Sequence, residues 1–330
     1  MVEVGLNKRR RRIVAFLVII VFLIVFPAIL YLVRLFRFLD VYTMSCCLAA
    51  FCIALYLQGI GTGRINFGPQ LFWGIGGFTA GTLSKFFGFN PFLTLLGTIA
   101  IALILSSAIS PLTIFLGGLY YTLITLILPY ILLQLSFAYS SIFGGEEGLS
   151  GISRLIDVGV PSLNAVYNAF SAAALSIIYF LIVMIVLSSK YSLGLQAISQ
   201  NENVARQIGV NVARYKITTF IVTSVMSSVI GWFTAHYYGV FLGTAYLPLN
   251  FLVKILIALM LSAGLYGIFP VVFGIQYLEE FERAILGELH HFIYPITLLV
   301  IFTILPRGIE PLLRRCGVSE IYYAKLRFRR

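Results

Sequence analysis

The sequence predicts an all-α, polytopic membrane protein of about ten transmembrane helices, with one broken, glycine-rich span region and a short cytoplasmic helix between two spans. Three observations carry that prediction. Hydrophobic residues make up 60% of the chain and charged residues 11%, with a mean hydropathy of +0.99. Apolar runs of about 20 residues, the length a helix needs to cross a bilayer, recur along the whole chain, and the ~10-residue alternations of barrel strands are not visible. The net charge of +11 collects at the two ends, in Lys8, Arg9, Arg10, Arg11 and Arg12 and again in Arg314, Arg315, Lys325, Arg327, Arg329 and Arg330. Positive charge marks the cytoplasmic side, so both ends are expected inside and the number of crossings even. The basic ends suit orientation and anionic membrane lipid rather than nucleic acid.

Span 1 is expected at residues 13–33, behind a basic cytoplasmic N-terminus of residues 1–12. It is too long for a signal-peptide core and no small-residue cleavage site follows it, so it is read as an uncleaved span. Span 2 follows at 41–57. The stretch GIGTGRINFGPQ then places Gly59, Gly61, Gly63 and Gly68 within ten residues. At ~1 kcal/mol each they argue against an undisturbed helix, and Pro69 suits the first turn of a new one. Broken backbone is therefore expected before span 3 (70–87), and at membrane depth it is tolerated only against protein or a water-filled cavity. Spans 4 and 5 are expected at 92–116 and 119–143, divided by Gly117 and Gly118. An external loop at 144–168 precedes span 6 (172–187), which returns the chain to the cytoplasm.

There QAISQNENVARQIGVNV (196–212) lies between spans 6 and 7. Ala197, Ala205 and Ile208 fall near one helical face, and Asn201, Glu202, Asn203, Arg206 and Gln207 keep the rest wet. Gly209 is a natural left-handed stop and Asn211 a cap for the next helix. A short helix with small residues on one face is shaped to press into a cleft on another protein. Span 7 (217–241), span 8 (251–263), a break at 264–267, span 9 from Pro270 and span 10 (292–305) complete the chain, followed by a basic tail at 306–330. Gly63 and Gly264 each precede a helix-starting proline by six residues, the spacing an internal duplication would leave.

Catalytic constellations are not found. There is no phosphate-binding P-loop, HExxH or nucleophile elbow, and Glu146-Glu147 has no nucleophile or histidine beside it, so it reads as a solvated loop. His236 reads as a packed or interfacial histidine. His290-His291 is not a metal site, because adjacent helical residues point apart. Cys46, Cys47, Cys52 and Cys316 read as small apolar residues rather than a disulfide framework. Lys254 is expected to snorkel to an interface. Arg64 in the glycine-rich break either meets a carboxylate beside open backbone amides or anchors the cytoplasmic interface.

Four stretches resemble the permease subunits of branched-chain amino-acid ABC importers, the LivH/LivM kind, over about residues 40–312. They are GRINFGPQLFWGIGGFTA (63–80), GLYYTLITLILPYILLQL with GGEEGLSGI (118–152), the central loop with RYK (214–216), and LPRGIEPL (305–312). Two positions depart from the family pattern: Pro69 stands where His or Ala is common, and SAGLYG (262–267) has one glycine fewer.

The resemblance implies a transport subunit, not an enzyme. It would form a permease domain at 13–305, with a coupling loop at 189–216 and no cofactor of its own. ATP would be used by cytoplasmic ATP-binding subunits, beside a second permease and an extracellular substrate-binding protein. The passage is expected at the glycine-rich break, at Gly63, Arg64, Asn66 and Gly68; the resemblance places coupling to the ATPase in the central loop, where Ala197, Asn201, Glu202, Ala205, Arg206 and Gly209 are the expected residues. Related permeases carry urea, amides or nucleosides. A secondary transporter is the rival reading, but it would want a mid-span acid, and the expected span centres hold essentially none.

Overall fold

The computed structural model describes residues 2–63, 66–305, 308–309 and 311. Its helices are α1 (Val2–Leu32), α2 (Phe36–Thr62), α3 (Gln70–Phe87), α4 (Pro91–Ile109), α5 (Leu112–Phe115), α6 (Gly118–Ala138), α7 (Ser140–Phe143), α8 (Pro161–Ser188), α9 (Tyr191–Gln200), α10 (Glu202–Gln207), α11 (Val212–Tyr238), α12 (Gly243–Tyr246), α13 (Leu249–Ser262), α14 (Ile268–Leu286) and α15 (His290–Ile304). Two two-residue strands, β1 (Leu149–Ser150) and β2 (Val240–Phe241), pair antiparallel with Leu149 opposite Phe241. The chain is an all-α, multi-pass membrane protein: among the described residues seven helices are long and apolar enough to cross a bilayer. The other three expected spans fall on α3, α14 and α15. Of these, α3 holds four glycines with Gln70 and Lys85, α14 carries three glutamates, and α15 has 15 residues.

Several boundaries differ from expectation for local reasons. Gly59 and Gly61 do not break α2, which stays helical to Thr62, and the Gly63 N–H donates to the Gly59 carbonyl at 3.1 Å. In an apolar setting an unpaired backbone group costs more than a glycine does, so the helix continues until Gly63 turns left-handed at φ 63°. Span 4 comes out at Pro91–Phe115, as expected, but its helix is interrupted at Pro111, which has no N–H for the Ser107 carbonyl; the Ser110 hydroxyl donates there instead at 3.0 Å. The expected external loop shortens, because Pro161 opens α8 eleven residues before the predicted start of span 6. The central helix is two helices: Asn201 is extended at φ −161° and accepts from the N–H groups of Asn203 and Val204 at 3.0 and 3.3 Å, ending α9 and capping α10. Glu279, Glu280 and Glu282 lie inside α14.

The chain forms two compact units. Unit 1 is Met1–Ile53, Val158–Phe180 and Lys254–Arg330; unit 2 is Ala54–Asp157 and Leu181–Val253. Unit 2 is built on α3, buried along most of its length and pressed on α11 at backbone distance. A Cβ on Gly76 would stand 1.9 Å from the Ser228 carbonyl oxygen, and one on Gly231 would stand 1.9 Å from that of Trp73. Only glycine allows this approach, as at close helix crossings in membranes. The Trp73 indole N–H donates to the Thr234 hydroxyl at 3.1 Å. His236 is a packed histidine, with ring nitrogens 2.6 Å from the Thr94 hydroxyl and 2.6 Å from the Ser153 carbonyl.

In unit 1 the Tyr42 hydroxyl donates to the Leu23 carbonyl at 2.6 Å, tying α2 to α1. Cys46, Cys47 and Cys52 are free and buried there. Lys254 does not snorkel: its ammonium pairs with Glu279 of α14, and its side chain is 13% exposed. The partner lies 25 residues away, so pairing displaces the interface.

Candidate functional site

The break between α2 and α3 is a short polar seam held by its own side chains. Asn66 turns the chain, accepting on Oδ1 from the Gly68 N–H at 2.8 Å and donating from Nδ2 to Gln58 Oε1 at 3.3 Å. The Phe67 N–H donates to the Thr125 hydroxyl of α6 at 3.2 Å. Gly68 lies so close to α6 that a Cβ would stand 1.9 Å from the Thr125 carbonyl oxygen. Gln70, fully buried, donates weakly to the Leu247 carbonyl at 3.5 Å, and its Oε1 has no partner among the described residues. The seam therefore has two properties a passage needs: polar groups inside an apolar surround, and backbone that is not locked in a helix. Of the expected passage residues, Gly63, Asn66 and Gly68 are brought together here. Arg64 lies outside the described residues.

Thr125 was not singled out from sequence. Its signal was a lone hydroxyl in the apolar run LITLIL, which α6 could satisfy by itself, as it also does by donating to the Tyr121 carbonyl at 2.9 Å.

The segment after α8 is braced from within. Ala205 is 0% exposed and clusters with Ile198 and Val212, with half-buried Ala197 against them. The expected docking face is thus divided. Ala197 and Ala205 point inward and carry the short helices, whereas Ile208 (67% exposed) and Val204 (50%) point outward. The reason is α11, whose first residue, Val212, supplies the apolar wall that Ala205 fills. Glu202 pairs with Arg206 at 2.7 Å and with Lys216 of α11 at 2.6 Å, and the Lys216 side chain is 1% exposed. Tyr191 stacks on Tyr215 with ring centroids 4.4 Å apart. Gly209 turns left-handed at φ 84°, and Asn211 accepts from the Arg214 N–H at 3.1 Å to cap α11.

Seam and braced segment touch. A Cβ on Gly63 would stand 3.1 Å from Ser199 Cα and 3.6 Å from the Ile198 carbonyl oxygen, so the first residue of the break rests on the backbone of α9. The two groups of residues that sequence reasoning treated separately are joined at this contact.

A family model described as "Branched-chain amino acid transport system / permease component" matches residues 37–304. No curated protein matches the chain, and no solved structure does.

Proposed function

The chain belongs to the family of permease components of branched-chain amino-acid transport systems, and on that premise we propose that it forms the passage of an ATP-driven importer whose α9–α10 segment receives motion from a separate ATPase. Its role is that of a transport subunit rather than an enzyme. The cargo in this reading is a branched-chain amino acid, delivered by an extracellular binding protein to a pair of permease subunits. ATP is hydrolysed by cytoplasmic subunits, and this chain binds no cofactor. Ten helices cross the membrane, the seven apolar ones with α3, α14 and α15. Residues 1–12 and 306–330 then lie in the cytoplasm, on the same side as residues 189–216, and the loop after α7 lies outside.

One observation carries the reading: Gly63, at the mouth of the polar seam, rests on Ser199 of α9. A push on the outward residues Val204 and Ile208 has a short path to the seam, because the Ala205 cluster and the Glu202–Lys216 pair make the segment rigid. Coupling of this kind is a free-energy difference between two arrangements, and it requires such a rigid link. Asn201, Glu202, Ala205, Arg206 and Gly209 serve it by shaping the segment, and Val204 and Ile208 by contact.

The experiment is co-purification of the tagged chain from native membranes, followed by uptake in vesicles. Co-purifying ATP-binding subunits and uptake that needs ATP support the proposal. Uptake by the chain alone, driven by an ion gradient, refutes it.

A further inference from the structure

Where α2 and α8 begin, unit 1 carries an open pocket that the proposed passage does not use. Its volume is about 510 Å³, within the range of small-molecule sites, and Phe36, Arg37, Asp40, Pro161, Ser162 and Ala165 line it. Phe36 and Pro161 are the first residues of their helices, so the positive ends of two long helices meet at the pocket and favour an anionic group there. Arg37 adds a guanidinium with five N–H donors; one nitrogen pairs with Glu280 at 2.5 Å, and the side chain is still 64% exposed. Asp40, one helical turn on, brings a carboxylate to the same wall. With Glu280 on Arg37 and Asp40 beside it, the side chains carry no surplus of positive charge for a bare anion. A guest with an anionic and a cationic end fits better. The surround says where such a guest comes from. Leu32 (78% exposed), Val33 and Leu35 at the turn between α1 and α2, and Val158 and Val160 just before α8, are all exposed apolar residues. Such residues around a charged pocket at the ends of membrane-spanning helices suit the headgroup layer of a bilayer, with acyl chains against the adjoining surface.

We propose that this pocket binds the headgroup of a phosphatidylethanolamine molecule. Its phosphate would accept from the Arg37 guanidinium and the Ser162 hydroxyl at the starts of α2 and α8, since planar guanidinium suits phosphate oxygens. Its ammonium, with three N–H donors, would donate to Asp40. Its acyl chains would lie along the exposed apolar residues beside the pocket. The ammonium selects among lipids: phosphatidylcholine has no N–H to give Asp40, and phosphatidylglycerol has no cation. Free phosphoethanolamine shares the headgroup chemistry, but it leaves the apolar surround unused. A lipid held here would bridge the first turns of α2 and α8. On the ten-span arrangement the site lies in the outer leaflet, and it depends neither on the cargo nor on the ATPase.

The test is native mass spectrometry of the delipidated full-length chain in detergent, titrated with phosphatidylethanolamine, phosphatidylcholine, phosphatidylglycerol and chain-free O-phosphoethanolamine. The melting temperature is recorded with each. Phosphatidylethanolamine is expected to fill one site about fivefold or more tighter than either other lipid, the scale of a hydrogen bond to a charged group at an open site, and to raise the melting temperature. Asp40→Asn keeps the side-chain shape and should remove the preference over phosphatidylcholine. Ala165→Trp should fill the pocket and abolish the tight site. Asp40 is exposed, so Asp40→Asn is expected to fold, and it decides the matter if Ala165→Trp does not. Equal affinity for the three lipids, or tighter binding of phosphatidylglycerol, overturns the headgroup assignment. Wild-type preference in Asp40→Asn overturns the site. Phosphoethanolamine binding as tightly as the lipid replaces the membrane with a soluble phosphate ester as the source and overturns the lipid. None of these results bears on the permease reading, which ATP-dependent uptake decides separately.

Discussion

The contact between Gly63 and Ser199 can be weighed by comparing two glycines with nearly the same backbone. Gly63 has φ 63° and Gly88 has φ 64°, so an alanine at either meets the same left-handed penalty, about 1–2 kcal/mol. Their surroundings differ. A Cβ at Gly88 meets nothing within 4 Å, whereas one at Gly63 stands 3.1 Å from Ser199 Cα, and that neighbour is backbone that must move by a few tenths of an ångström. Overpacking of this kind adds about 1–3 kcal/mol. If α9 drives the seam through this contact, Gly63→Ala should shift the coupling equilibrium by roughly 5- to 150-fold beyond the effect of Gly88→Ala. The assay is substrate-stimulated ATP hydrolysis and uptake in vesicles containing the ATPase, with melting temperature recorded for both variants. Gly88→Ala should lose a little stability and keep coupling; Gly63→Ala should keep its ATPase partner and lose coupling. Equal transport by the two variants would falsify the mechanical link.

Further expectations follow from the same geometry. Ala205→Trp overfills the Ile198–Val212 cluster and should lower the melting temperature and release the ATPase, whereas Ile208→Glu should release the ATPase with the melting temperature unchanged, because Ile208 is exposed. Retained co-purification in Ile208→Glu counts against contact through the outward face. Lys216→Met removes one cationic partner of Glu202 and should destabilise by about 1.5–3 kcal/mol, the scale of a hydrogen bond to a charged group, read by chemical denaturation; an unchanged midpoint would show that the pair contributes nothing. In a background without other cysteines, cysteines at Val160 and Gln200 should react with an impermeant reagent from opposite sides of the membrane. Labelling from the same side breaks the ten-span arrangement.

What was legible in the sequence was whatever a residue decides within one turn of itself. The bounds of α3 came out as expected, with Pro69 before its first residue and left-handed Gly88 after its last. Gly209 and Asn211 end one helix and cap the next as their chemistry suggests. What was not legible depends on residues far along the chain. Thr125 receives the Phe67 N–H across 58 positions, and Lys254 finds Glu279 across 25. Ala205 looked like a docking surface because helical periodicity names a small face without saying what covers it; Val212, after the Gly209 turn, covers it. Asn201 is the instructive middle case. Its capping preference was readable, but seven further residues with helical spacing argued for continuity. The competition between its side chain and the backbone was settled only by α10 folding back on α9 and α11.

The same reasoning says where unit 2 can yield. Between α3 and α11, Gly76 and Gly231 bring backbone against backbone with no side chain between them, and Trp73 bonds across to Thr234. Interfaces packed this closely have discrete arrangements rather than a continuous range, so α3 and α11 should move together. The seam is different. Its turn is held by Asn66, its link to α6 is the Phe67–Thr125 bond, and a second contact is the close approach of Gly68 to Thr125. A single neutral hydrogen bond contributes about 1 kcal/mol, so the Phe67–Thr125 bond is the weaker of the seam's two links to α6. Motion that enters at α9 and passes through Gly63 should therefore be taken up at the Asn66–Gly68 turn, with the Phe67–Thr125 bond breaking first. Thr125→Val keeps the shape and removes the acceptor, so it should favour the parted seam. The expected result is raised ATP hydrolysis without added substrate, while the melting temperature falls only slightly. Unchanged basal hydrolysis in Thr125→Val would mean that this bond stays intact through the cycle and that the seam moves as one piece with α6.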